Sequence, residues 1–160
     1  MSMHDLALAF ELVAKNASLA TFAGPQPASR IRLAQAALGV FFPPTYREFV
    51  TRLGCGGLGS TEFYGVATDD FEHSSVPDAI WLTLKNRAGQ YVPDSFVVIG
   101  STGDGAYYAI DTARTDANGE NPVVEWWPGL SGAVGNPRDI ASDFGEFFFS
   151  EISDELKEAS

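Results

Sequence analysis

The sequence has a single cysteine, Cys55. An internal disulfide is impossible, so the chain is not a small domain held together by bridges. No apolar run approaches the ~20 residues of a membrane-spanning helix. The first ten residues, MSMHDLALAF, place Asp5 ahead of the apolar segment and no basic cluster there, unlike a secretory signal. Together these absences predict a cytoplasmic protein with no membrane contact. Cations are scarce as well: 10 Lys and Arg stand against 21 Asp and Glu, for a net charge of −11.

The deficit is uneven. Residues 1–60 carry five basic side chains (Lys15, Arg30, Arg32, Arg47, Arg52) and three acids, a balance of +2; residues 61–160 carry five basic and eighteen acidic, a balance of −13. Nucleic-acid binding needs cationic surface, so that class is excluded. A basic protein partner would be drawn in by such a field. The same acidity also keeps a protein soluble without any partner.

What remains is ordinary for a globular chain: 160 residues, 45% hydrophobic and 19% charged. That length makes one domain, 1–160, with a core that needs no staples. Leu6, Ala9, Phe10 and Val13 recur at helical spacing and predict a first helix ending near Asn16. GPQPAS, residues 24–29, breaks the chain, and Ser29 is the expected N-cap of a second helix with Ile31, Ala34 and Leu38 inward. Gly39 is placed to close it in the left-handed conformation. Pro43 and Pro44 cannot continue it, and Pro44 suits the first turn of the next helix. Phe41 and Phe42 are expected to cover this elbow. Tyr46, Phe49, Val50 and Leu53 mark a third helix, and GCGGLG, residues 54–59, ends it.

The period then changes. EFYGV (62–66) reads as a strand, and residues 76–88 as a short helix with Ile80, Trp81 and Leu84. SFVVIG (95–100), AYYAID (106–111) and PVVEWW (122–127) are strands of an antiparallel meander, the first pair joined at Asp104-Gly105. A last helix runs from about Ser142 to Leu156, with Phe144, Phe147, Phe148 and Ile152 on one side and acids outside. The predicted fold class is α+β: a mostly antiparallel twisted sheet with N-terminal helices and a C-terminal helix packed on it.

Candidate chemistry is thin. Cys55 in GCGG needs an activating base, and only His4 and His73 exist, so a structural cysteine at a helix end is the better reading. DDFEH (69–73) could ligate a divalent ion through Asp69, Asp70 and His73, but no second cluster supports it. Asp116, Asn118, Gly119 and Glu125 imitate part of a calcium loop, but Arg114 stands where a carboxylate is required. That segment reads as a hairpin turn. GSTGDG lacks a P-loop lysine and precedes a strand, and GLSGAVG (129–135) lacks a nucleophile-elbow spacing. Trp126 and Trp127 must face opposite sides of a strand. One enters the core; the other is either a binding anchor beside Tyr107 or Tyr108, or packs beneath the loop that follows.

The stretch IRLAQAALGVFFPPTYREFV resembles the SUKH superfamily of Knr/Smi cell-wall-regulator-like domains. Ile31, Gln35, Leu38, Gly39, Phe42, Pro43, Tyr46 and Phe49 fall on its signature. Gln35 replaces the usual acid, and Gly54-Cys55 the usual Asn-Gly. FVVIGSTGDGAYYAID, with Gly100, Gly103, Gly105 and Asp111, is similar to the family's central hairpin; PVVEWWPG and IASDFGEFF are similar to its end. The likeness covers about residues 29–150. It implies a non-enzymatic binding domain without metal or cofactor. Many bacterial members resemble immunity proteins that neutralise a cognate toxin, often a basic nuclease; others, mainly fungal, are regulatory scaffolds. On that reading the expected contact residues are Asp69, Asp70 and Glu72 on one loop, Asp104 and Asp116 on turns, and Tyr108 or Trp127 as anchors. The rivals are a scaffold without a toxin and a small-ligand binder or enzyme using the Gly-rich hairpin. A homodimer is expected only because dimers are common.

Overall fold

A computed structural model describes residues 2–128 and 137–159. The chain begins with α1 (Ser2–Lys15) and a 3-10 turn (Ala17–Leu19). Next come α2 (Ala28–Leu38), α3 (Pro44–Leu53) and the hairpin β1 (Gly56–Leu58) with β2 (Thr61–Phe63). α4 (Ala79–Ala88) precedes the meander β3 (Phe96–Ser101), β4 (Tyr107–Asp111), β5 (Val123–Trp126) and β6 (Arg138–Ala141), and α5 (Phe144–Ala159) closes the described chain. The four-stranded sheet has the order β3-β4-β5-β6, antiparallel throughout. The class is α+β, as the alternation of periods predicts.

The elbow between α2 and α3 is built by backbone accounting. Gly39 is left-handed (φ 68), and its N–H donates to the Gln35 carbonyl at 2.8 Å. The Val40 N–H reaches the same carbonyl at 3.2 Å. The Phe42 N–H would be stranded between a finished helix and two prolines; the Gln35 side-chain oxygen accepts it at 2.8 Å. From α4, Arg87 donates to the Leu38 carbonyl at 2.7 Å. Orphan groups at a helix end thus find partners from both sides. Phe42 is buried against Tyr46, ring centroids 5.0 Å apart. Phe41 does not cover the elbow as expected: it is 85% exposed.

Other boundaries differ from the sequence reading, and β2 spans Thr61–Phe63 where the pattern predicts a strand over 62–66. α2 starts at Ala28 after Pro27, and no side chain caps it, so Ser29 lies inside the first turn. α4 starts at Ala79, because Asp78 accepts the Ile80 and Trp81 N–H groups at 2.8 and 3.0 Å. GCGGLG contains strand β1, which pairs Gly56 with Phe63 and Leu58 with Thr61. β6 was not anticipated either.

The core is aromatic. Phe144 and Phe148 of α5 meet Tyr46 and Phe49 of α3 and Phe63 of β2, with centroids 4.7 to 5.1 Å apart in the closest pairs. Such pairs each contribute about 0.5–1.5 kcal/mol beyond area burial. α5 lies on the sheet face bearing Tyr108, whose ring is 5.0 Å from Phe147, and α1 and α3 pack against α5. α4 lies against β3, with Asn86 reaching the Tyr107 hydroxyl on the opposite face at 3.4 Å. Thr83 accepts the Val98 N–H at 2.9 Å and so satisfies part of the sheet edge. The Tyr64 N–H donates to the Ile99 carbonyl at 2.8 Å and ties the β1–β2 hairpin beside β3.

Candidate functional site

Where α5 crosses the sheet, it leaves a cleft against the β1–β2 hairpin on one side and β6 on the other. Two adjoining cavities of about 340 and 230 Å3 make it up, and Tyr108, Phe147 and Glu151 line both. The first is walled by the hairpin (Ser60, Thr61, Glu62) and the β3–β4 turn (Ser101, Thr102, Gly103). The second is walled by Glu125, Arg138 and Ile140 of the sheet and Glu146 and Ser150 of α5.

Each side chain is there for a local reason. Tyr108 and Glu125 are paired across β4 and β5, so both project from the α5 face. Glu151 follows Phe147 by four residues and Phe148 by three, which sets it at the edge of the apolar stripe of α5. Glu62 is the exposed residue of β2, between half-buried Thr61 and buried Phe63.

The electrostatics are one-sided. Four carboxylates line the cleft (Glu62, Glu125, Glu146, Glu151) against one guanidinium, Arg138, which is already paired with Glu125 at 3.1 Å. Burial, and then Asp154, pushes the Glu151 carboxyl above the usual glutamate range. Burial raises the Tyr108 hydroxyl too, followed by Glu151, Glu125 and Asp104, with Arg138 pulling the other way. The aromatic floor thus sits in a negative potential, half withdrawn from water. Such a surface favours an incoming ammonium or guanidinium, which aromatic faces also attract.

The seven residues expected to form one contact surface fall into three places. Asp104, Tyr108 and Trp127 come together. Asp104 sits at the β3–β4 turn with the Thr102 hydroxyl donating to it, and the Trp127 ring stands against Gly105 in the same turn. Trp127 is 45% exposed, while Trp126 enters the core, its indole N–H donating to the Tyr91 carbonyl at 2.8 Å. The loop GLSGAVG lies outside the described residues. Asp69, Asp70 and Glu72 are elsewhere, because the chain passes Gly100 and then Ile99 and continues away from the turn. Asp69 is bound to Arg30 at 2.8 Å. Asp70 accepts the Glu72 and His73 N–H groups at 3.0 Å, which hold its carboxyl below the usual range. Asp116, at the other end of β4, shapes its own turn by accepting from the Asn118 and Glu120 N–H groups at 2.8 and 3.0 Å. Sequence reading missed Glu62, Glu125, Glu146 and Glu151. The position of Glu151 at the border of the phenylalanine stripe was the one available signal.

Other candidates resolve into structure. Cys55 is buried, and burial together with Asp78 and Glu62 pushes its thiol up to about 11, so it is not a poised nucleophile. His73 contacts Asp70 at 3.3 Å. Among the described residues no three His, Cys, Asp or Glu side chains converge as a metal site, and no helix is long and apolar enough to cross a membrane. The calcium-loop mimic is a connection in which Glu120 turns inward.

A family model described as SUKH_6, SMI1-KNR4 cell-wall, matches residues 28–148. The chain belongs to that family. No curated protein matches it. Among solved structures, the chain is similar to a protein from Pseudomonas syringae pv. tomato, with a TM-score of 0.56 and 13% identity, over 86% of this chain and 92% of that one. At that identity the likeness concerns the fold.

Proposed function

Taking membership of the SUKH superfamily as the premise, we propose that this protein is a non-enzymatic inhibitor that neutralises a basic toxin by stoichiometric binding, as a bacterial immunity protein does. The observation that carries the reading is the cleft under α5, where four carboxylates surround a tyrosine and a phenylalanine with one cation among them. A cationic segment of the partner, such as the substrate-binding surface of a nuclease, fits it by charge and by apolar floor. The wider charge of −13 over residues 61–160 speeds the encounter, and the cleft fixes the register. No bond is made or broken; the partner is occluded. Asp104 and Trp127 extend the surface at its rim. Asp69, Asp70 and Glu72 contribute to the long-range field, with Asp69 partly neutralised by Arg30.

The test is affinity capture from lysate of the source organism with elution in rising salt, followed by association kinetics. One basic protein held stoichiometrically and released at high salt supports the reading, and its activity names the toxin class. Glu62→Lys with Glu151→Lys should slow association by about tenfold or more, and more than reversal of Asp69 and Asp70 does. Equal on-rates for all variants would overturn the cleft as the contact. The cell-wall description of the family supports a second reading, a regulatory scaffold; capture of an envelope or signalling protein would favour it.

A further inference from the structure

The elbow between α2 and α3 exposes a phenylalanine that the fold actively holds outward. Phe41 is 85% exposed, while its neighbour Phe42 is buried. Its backbone is pinned on both sides, by the Val40 N–H on the Gln35 carbonyl and the Phe42 N–H on the Gln35 side chain, and Pro43 follows. The ring therefore cannot swing into the core. Beside it lies a groove of about 400 Å3 between elbow residues 39–43 and the β4–β5 connection, where Thr112, Thr115, Gly119 and Asn121 line it. No charged residue is among its lining residues. The apolar face continues along α2 through Leu33, Ala36 and Ala37, all exposed and spaced by three and four.

We propose that this face is occupied by a second copy of this chain, related by a two-fold axis, with the Phe41 ring of each copy seated in the groove of the other. A projecting ring next to an empty groove on one surface is self-complementary, which an isologous dimer requires and an unrelated partner does not. Charge selects the same face. Two molecules of charge −11 repel wherever their acids meet, and this groove has none in its walls. Exposed Arg32 and Arg47 belong to the helices of the elbow; the connection carries exposed Asp116, and its own cation, Arg114, is already paired with Asp111 and Asp139. A two-fold that lays elbow on connection brings unlike charges together twice. The face shares no lining residue with the acidic cleft, so both clefts stay open and a complex with a partner would be two-to-two.

Sedimentation velocity and light scattering over a concentration series decide it. The full chain should reach the mass of a dimer. Phe41→Ser should abolish the dimer with unchanged circular dichroism, since the ring has little packing to lose within its own chain; Leu33→Arg should weaken it. Glu151→Lys should leave it intact, which separates this surface from the partner cleft. A wild-type chain that stays monomeric throughout, or a Phe41→Ser dimer as tight as the wild type, would overturn the proposal.

Discussion

Glu120 accepts two hydrogen bonds from Thr45, its carboxylate oxygens meeting the backbone N–H at 3.1 Å and the hydroxyl at 2.9 Å. The Thr45 hydroxyl oxygen in turn accepts the Gly145 N–H at 3.1 Å. One buried chain of polar groups therefore links the β4–β5 connection, the first turn of α3 and the first turn of α5. The carboxylate takes the place of an N-cap that Pro43 cannot supply. Burial raises the Glu120 carboxyl, and the Thr45 bonds hold it partway down.

Glu120→Ala should therefore cost about 2–4 kcal/mol, since Thr45 is left buried with two donors unpaired. Thr45→Val should cost about 1–3 kcal/mol, and Thr45→Ser far less, because serine keeps the hydroxyl. Urea unfolding of the three variants measures this. A Glu120→Ala variant as stable as the wild type would show that the network contributes nothing.

At the elbow, Gln35 stands where the family resemblance places an acid, yet its side-chain oxygen makes the bond the position needs. Gln35→Glu should stay within about 0.5 kcal/mol of the wild type, since a carboxylate accepts the same N–H. Gln35→Leu should lose about 1–3 kcal/mol, as the Phe42 N–H remains buried without a partner. Denaturant midpoints of the pair report the difference.

Two glycines separate space from strain. A Cβ on Gly65 would meet the Gly54 carbonyl oxygen, a backbone atom that cannot yield. Gly65→Ala should cost more than about 3 kcal/mol or prevent folding. Gly103 has φ +89 with open space around it. Gly103→Ala should cost only the left-handed penalty of about 1–2 kcal/mol. Comparable melting temperatures for the two would contradict the packing.

Glu151 should trade stability for binding. Its carboxyl is raised in the folded protein, so what it contributes to stability is fully present below the unfolded value and is lost as pH rises through the folded value. At neutral pH the ionised group is a burden on the isolated protein. Glu151→Gln should raise the melting temperature at neutral pH, and the gain should vanish below the ordinary glutamate range. A cationic partner lowers that same carboxyl, so affinity should rise with pH through its titration. Calorimetry at the two pH values checks the first part, and binding isotherms the second.

The sequence by itself determined the helices, strands β3, β4 and β5 and the α+β class, because each rests on a local period or a local breaker. Leu6, Ala9 and Val13 repeat at 3.6, and Pro43-Pro44 can only end one helix and open another. The same local logic failed at β1, whose glycines carry no strand preference and pair only because β2 lies alongside. It failed at β6, an edge strand of four residues that exists through its register with β5. It also failed for the site. Glu62, Glu125, and Glu146 with Glu151 come from three separate elements, β2, β5 and α5, and nothing in their spacing says that they line one cleft. Whether an acidic side chain is free or committed was equally out of reach, as Asp69 and Glu120 each serve a partner far along the chain. Hydrophobic period and turn chemistry are short-range and can be read along the chain. Carboxylate proximity, desolvation and hydrogen-bond partnership arise between segments, and only the packing of α5 across the sheet decided them.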